Sequence, residues 1–225
     1  MKKNAVIVAG GIGSRMNTSI PKQFLLLNGK PILFYTIDTF LKAYDDLNVI
    51  LVLPEEFMAA GQEIIDAFFD YSRIKITAGG RTRFHSVQNG LQLIKEESII
   101  FVHDGVRCLL TTALIHRCYA AAVENGSAIP VITSKDSVRL ITQATNEVID
   151  RTKIRLVQTP QTFHSKILLP AFNIDFKDKF TDEASVVEAF GIKVDLIEGE
   201  EMNTKITTPF DLLVAEKILA LQNVE

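Results

Sequence analysis

Five short apolar runs read as strands: Ala5 to Ala9, Val49 to Leu53, Ile74 to Thr77, Ile99 to His103 and Ala128 to Ile132. Segments of helical period separate them. After Pro31, for example, Leu33, Ile37, Phe40 and Leu41 recur at offsets of four, seven and eight and make one apolar stripe. This alternation predicts an α/β fold, a Rossmann-like, mainly parallel sheet with helices on both faces. Right-handed crossovers bring the loops that follow the strands to one edge, where open sheets of this kind bind ligands.

The pattern changes between Lys135 and about Arg155, where short alternating stretches, Val138 to Ile141 and Val148 to Ile149, flank a polar turn at Ala144, Thr145 and Asn146. This predicts a β-hairpin arm projecting from the main sheet. An isolated hairpin is marginal in water, so the arm is expected to pack on something else, a partner subunit. No repeat, low-complexity tract or linker divides the chain, and residues 1–225 read as a single domain with 135–155 as its arm.

Composition narrows the class. A chain of 225 residues that is 47% hydrophobic is an ordinary globular sequence, able to bury roughly 70% of its unfolded surface in one core. A formal charge of −3 argues against non-specific nucleic-acid binding, so local basic clusters need local explanations. Lys2 and Lys3 precede a short apolar run, but Gly10, Gly11, Gly13 and Arg15 interrupt it, so no secretory leader is read. No stretch suits a membrane span, and the expected compartment is cytoplasmic. Cys108 and Cys118 lack zinc-site spacing and read as ordinary thiols.

The chemistry begins at Ala9, Gly10, Gly11 and Gly13, where a strand runs into glycines whose missing side chains let backbone N–H groups approach an anion. The dinucleotide fingerprint fails, since Met16 stands where its third glycine belongs, and no Gly-Lys-Ser/Thr follows to make a Walker A loop. Arg15 and Pro21-Lys22-Gln23 follow instead, so a fork and a mobile point charge sit where a triphosphate would carry its charge. A second strand-to-helix junction, Gly79 to Val87, offers glycine backbone, the guanidiniums of Arg81 and Arg83, and the Ser86 hydroxyl. His85 is given no role there. Asp104 ends the Ile99 to His103 strand and is placed to hold Mg²⁺ near a triphosphate, although a turn or helix-cap aspartate would look the same. Thr208, Pro209 and Asp211 fit the cap, first and third positions of a helix, and Thr181-Asp182-Glu183 a first turn.

Taken together, A-G-G-x-G-x-R-M, P-K-Q, G-G-x-x-R-x-x-S-V, V-H-D-x-x-R, Asp150-Arg151, Q-T-P-Q-x-F, T-D-E-A-S and N-x-K-I-T resemble the 2-C-methyl-D-erythritol 4-phosphate cytidylyltransferase family over nearly the whole chain. The resemblance implies an enzyme that joins CTP to a polyol phosphate and releases pyrophosphate. In it Arg15, Lys22, Arg151 and Lys205 would be catalytic. Ala9, Gly10, Gly11, Gly13, Gly80, Arg81, Ser86 and Asp104 would bind the nucleotide, with Asp104 as the Mg²⁺ ligand. Arg107, Ser137, Thr159 and Thr181 would complete the acceptor pocket. It further implies a homodimer in which the arm carries Ser137 and Arg151 into the partner's site.

Some positions depart from that family's pattern. Gly10 resembles the ribitol 5-phosphate cytidylyltransferases, Ser137 stands where threonine is usual, Arg81 where an acid occurs, and Gly105 and Cys108 replace Ala and Pro. A ribitol 5-phosphate enzyme, a nucleotide-binding dimer without chemistry and a redox Rossmann enzyme therefore remain as alternatives.

Overall fold

The computed structural model describes residues 1–11, 16 and 20–222. In chain order, the first elements are β1 (Lys2–Val8), β2 (Leu26–Leu27), β3 (Lys30–Pro31), α1 (Ile32–Ala43), β4 (Leu47–Leu53), α2 (Met58–Phe68), β5 (Ile74–Ala78), α3 (Arg83–Leu91) and β6 (Ser98–Asp104). There follow α4 (Thr112–Asn125), β7 (Ser127–Thr133), β8 (Val138–Ile141), β9 (Asn146–Ile149), β10 (Arg155–Val157), β11 (Gln161–His164), α5 (Ser165–Ala171), α6 (Glu183–Ala189), β12 (Leu196–Glu198) and α7 (Pro209–Gln222).

The sheet is mainly parallel. β5, β4, β1 and β6 lie side by side in that order, all parallel, and β12 is parallel to β7. β11 runs antiparallel to both β6 and β7, and β10 antiparallel to β7, so one reversed strand joins the two parallel portions. Alternate residues of each parallel strand face opposite cores. Ile7, Leu51 and Phe101 meet α1, α2 and α4 on one side. Val6, Val52 and Val102 meet α3, α5 and α6 on the other. Strands covered on both faces are apolar along most of their length, which is why β1, β4, β6 and β7 were legible as continuous runs; β5, at the sheet edge, is only partly buried and alternates Ile74 and Ile76 with Lys75 and Thr77. The stripe Leu33, Ile37 and Phe40 is fully buried on α1, with Leu41 at its margin.

The five predicted strands are all present, each extended by one to three residues at an end, except that Ala9 lies just beyond β1. β10, β11 and β12 were not predicted: they are three or four residues long, and Gln161 and Thr162 of β11 are polar although buried. The arm is a separate two-stranded ladder of β8 and β9. Its turn comes earlier than expected. The Thr142 N–H donates to the Thr145 carbonyl, and Asn146 is already in β9 opposite Ile141. At α7 the expected cap is formed: the Asp211 N–H donates to Thr208 Oγ1 (3.3 Å) and the Thr208 N–H to Asp211 Oδ2 (2.8 Å).

One polar chain ties the reversed strand to the end of β6. The Asp104 N–H donates to Thr159 Oγ1 (3.1 Å), Thr159 Oγ1 lies 2.9 Å from His103 Nδ1, and His103 Nε2 lies 3.2 Å from the Arg107 carbonyl. A carbonyl can only accept, so Nε2 carries the hydrogen, Nδ1 accepts, and the Thr159 hydroxyl donates to it. The imidazole must be neutral for this arrangement, and burial pushes its pKa down to about 3. An unfolded histidine titrates near its ordinary value of about 6.5. Between that pH and about 3 the unfolded chain therefore binds a proton that the folded one refuses, and stability falls on acidification. His103→Gln, whose amide nitrogen can take the place of Nε2 and donate to the Arg107 carbonyl, is expected to remove up to about 1.4 kcal/mol per pH unit of that slope. Denaturant midpoints measured from pH 7 to pH 4 check this; identical slopes for the two proteins would refute it.

Candidate active site

A cleft of about 480 Å³ opens at the C-terminal edge of β1, β4, β5 and β6. β1 sits between β4 and β6, so successive crossovers leave it in opposite directions and a crevice opens between the loops. Ala9, Gly10, Gly11, Lys22, Gly80, Arg81, Ser86, Asp104 and Lys205 all line it. Gly13 and Arg15 lie outside the described residues.

Local sequence explains each wall. Lys22 opens a short 3-10 turn, Lys22–Phe24, and is 7% exposed; its Nζ donates to the Ile206 carbonyl at 3.1 Å, and its Cε passes 3.5 Å from where a Cβ on Gly11 would lie. Gln23 beside it donates from Nε2 to the Ala9 carbonyl (2.8 Å), fixing the turn against the end of β1. On the far wall, Thr82 caps α3, accepting the His85 N–H. A Cβ on Gly80 would lie 2.5 Å from that of His85, so only glycine lets the strand pass so close to the helix. The Gly80 N–H donates to Ser86 Oγ (3.1 Å), and Ser86 Oγ donates to the Thr82 carbonyl (3.0 Å).

Asp104 is the electrostatic centre. Its Oδ1 accepts from Arg83 Nε at 3.2 Å; its Oδ2 lies 2.8 Å from Lys205 Nζ and 3.8 Å from Arg107 Nε. Burial alone would raise its pKa, but the charge of Arg83, followed by Lys205 and Arg107, holds it well below the usual carboxylate range. Arg83 also forks onto both oxygens of the buried Glu183. Among the described residues no three histidine, cysteine, aspartate or glutamate side chains group as a metal site.

Other expected residues do not line the cleft. The Thr159 hydroxyl stands behind the wall, holding the Asp104 N–H and His103. Arg107 turns its NH1 to the Asn203 carbonyl (2.8 Å), anchoring the segment that carries Lys205. Thr181 is exposed just before α6. Ser137 and Arg151 are exposed on the arm, where Arg151 donates to the Lys135 carbonyl at 2.7 Å.

Several contributors were not singled out in the sequence. Asn203 donates to the Thr159 carbonyl (2.8 Å), Gln158 to the Glu200 carbonyl (2.8 Å), and together they lock the Lys205 segment onto the reversed strand. Glu183 read as a helix-dipole acid, and Arg83 as an anion donor; each is instead the other's partner. The available signal for Glu183 was its spacing, three and four residues before Val186 and Val187, which places it on the apolar face of α6.

Known proteins converge on the same reading. The family model described as "IspD: 2-C-methyl-D-erythritol 4-phosphate cytidylyltransferase" matches residues 4–221. The 2-C-methyl-D-erythritol 4-phosphate cytidylyltransferase of Bacteroides thetaiotaomicron is 44% identical over 219 residues, covering 97% of this chain and 100% of that one. That of Geobacillus kaustophilus is 36% identical over 228 residues, with 100% of both chains covered. Among solved structures, the 4-diphosphocytidyl-2C-methyl-D-erythritol synthase of Anaerococcus prevotii superposes with a TM-score of 0.83 at 28% identity, covering 97% of this chain and 96% of that one. The cytidylyltransferase of Thermus thermophilus does so with a TM-score of 0.76 at 30% identity, over 98% and 100%. With the match running through every wall of the cleft, the chain belongs to the 2-C-methyl-D-erythritol 4-phosphate cytidylyltransferase family.

Proposed function

We propose that the chain joins CTP and 2-C-methyl-D-erythritol 4-phosphate to give 4-diphosphocytidyl-2-C-methyl-D-erythritol and pyrophosphate. The observation that carries this reading is the convergence of Lys22, Asp104 and Lys205 with two glycine-rich turns on one cleft. An oxygen of the acceptor's phosphate attacks the α-phosphorus of CTP, the bond to the β-phosphate oxygen breaks, and pyrophosphate departs in line. Charge grows on the equatorial and leaving oxygens, and fixed cations stabilise it without a covalent intermediate. Lys22, with Arg15, meets that charge, and Gly10 and Gly11 admit the phosphates to the backbone. Lys205 and Arg151 hold the acceptor's phosphate.

The Ser86 hydroxyl donates to the Thr82 carbonyl, so toward a ligand it accepts. An acceptor suits the amino group of cytosine. Asp104 offers the hard oxygen that Mg²⁺ takes alongside phosphate and water, and one carboxylate is enough for such a site. When bound there, the ion would neutralise phosphate charge.

The arm carries Ile141, Val148 and Leu140 at 73%, 67% and 46% exposure, more apolar surface than a lone hairpin keeps in water. A second copy of the chain covers them in our reading, giving a homodimer in which Ser137 and Arg151 serve the partner's cleft. Residues 1–225 then form one catalytic domain, with 135–155 as the dimerising arm. The two buried free thiols, Cys108 and Cys118, suit a reducing cytoplasm.

Pyrophosphate should be released from CTP and Mg²⁺ with 2-C-methyl-D-erythritol 4-phosphate and not with ribitol 5-phosphate; the opposite preference would overturn the substrate assignment. Lys22→Ala is expected to cost roughly 3 kcal/mol of transition-state stabilisation while the protein stays folded, and an unchanged turnover number would remove Lys22 from the mechanism. For the shared site, mixing inactive Arg151→Ala and Lys22→Ala subunits should restore about a quarter of wild-type activity, since one cleft of each mixed dimer escapes both changes. A mixture as inactive as its components would place Arg151 in its own chain's cleft.

A further inference from the structure

Arg83 lines the cleft, yet its donors are already committed. NH1 and NH2 donate to the two carboxylate oxygens of Glu183, NH2 to Oε2 at 3.2 Å, while Nε donates to Asp104 Oδ1 at 3.2 Å and NH2 lies 3.2 Å from the same oxygen. A guanidinium spent in this way has little left for a phosphate. Glu183 is equally unusual. A first-turn acid serves the helix dipole from the surface, and here Asp182 already caps α6 through its box with Ser185, yet Glu183 is 1% exposed. Burying a carboxylate without need is costly, and the fork from Arg83 is what compensates it.

The geometry divides the two oxygens of Asp104. Oδ1 is held from behind by Arg83, which α3 carries and Glu183 of α6 orients; Oδ2 faces Lys205 at 2.8 Å. Without Glu183, Arg83 loses its second anchor and keeps only its contacts to Asp104 Oδ1, so neither the guanidinium nor the carboxylate it grips is held in one orientation. We propose that Glu183 is a positioning residue for nucleotidyl transfer, acting through Arg83 to fix the carboxylate of Asp104 in one orientation. Glu183 itself does not line the cleft. The proposal rests on the cytidylyl-transfer reading given above and extends it to a residue behind the cleft wall.

The test compares wild type, Glu183→Gln, Arg83→Gln and the double variant, with thermal melting and equilibrium CTP binding measured alongside turnover. A positioning role predicts that Glu183→Gln loses about tenfold or more in kcat while its affinity for CTP stays within about threefold. The double variant, a neutral pair of similar shape, should regain melting temperature over the Glu183 single change and remain as slow as Arg83→Gln. A merely structural cross-link predicts instead that kcat returns with stability, and that result overturns the proposal, as does a Glu183→Gln enzyme within about twofold of wild-type kcat. Should Glu183→Gln fail to fold, Glu183→Asp keeps the charge and withdraws the oxygens; a folded Glu183→Asp protein with reduced kcat supports positioning, and one with full kcat overturns it. A folded wild type that releases no pyrophosphate from CTP would overturn the reaction and the proposal together, whereas the variant outcomes bear on the proposal alone.

Discussion

Asp104 is an ionised carboxylate with 7% of its surface exposed, and a charge so placed is tolerable only because cations from three parts of the chain meet it. Arg83 comes from the first turn of α3, Arg107 from the turn that follows β6, and Lys205 from the segment before α7. Each is brought there by a separate device. A capping threonine sets α3, the Asp104 carbonyl accepts the Arg107 N–H at 3.0 Å, and the side chains of Asn203 and Gln158 clamp the Lys205 segment to the reversed strand. Removing any one cation leaves a buried charge under-compensated, which is far costlier than losing a surface pair. The cleft and the fold beneath it therefore depend on the same carboxylate.

The end of β6 is where this cost is met, because the sheet makes it the natural place. β1 and β6 finish side by side in register, Val8 beside Asp104, and the Gly105 N–H continues the ladder to the Val8 carbonyl at 2.9 Å. The backbone is thus saturated up to the edge and leaves the side chain alone to face the cleft. β11 closes the other flank. Between Val157 opposite Val131 and Thr162 opposite Ala128 the reversed strand carries two more residues than its partner, and the surplus holds Gln158 and Thr159, whose side chains serve the site rather than the ladder.

This division also explains what was legible in the sequence. Four doubly covered strands, the alternating edge strand β5 and the α1 stripe could be read because burial on both faces, on one sheet face or on one helix face writes itself into neighbouring residues. The reversed strand could not: Gln161 is buried for its bonds to Asp182 and the Ala184 N–H, partners more than twenty positions away, and nothing local marks it as strand. At the site, residue types were legible where chemistry demands them next to a turn, as with Gly10, Gly11, Gly80 and Lys22. Pairings were not. Arg83 and Glu183 stand 100 residues apart, and a guanidinium beside glycines looks the same whether it awaits a phosphate or a carboxylate. Thr159 shows the converse: its motif suggested a ligand contact, while its one hydrogen and its accepting oxygen are both used within the protein.

Why the wall is built from charges at all follows from the energetics. Apolar residues of similar volume in place of Arg83 and Glu183 would on general grounds be as stable or more so. They would also leave Asp104 held by Lys205 and Arg107 alone, both on the Oδ2 side, with nothing to define Oδ1. A site that stabilises developing charge needs dipoles fixed before the reaction begins, since any reorientation during it subtracts from the stabilisation. The buried fork supplies that fixity from a residue that need never meet the substrate, and its cost in desolvation is borne by the folded state, where the two large apolar cores flanking the sheet can offset it.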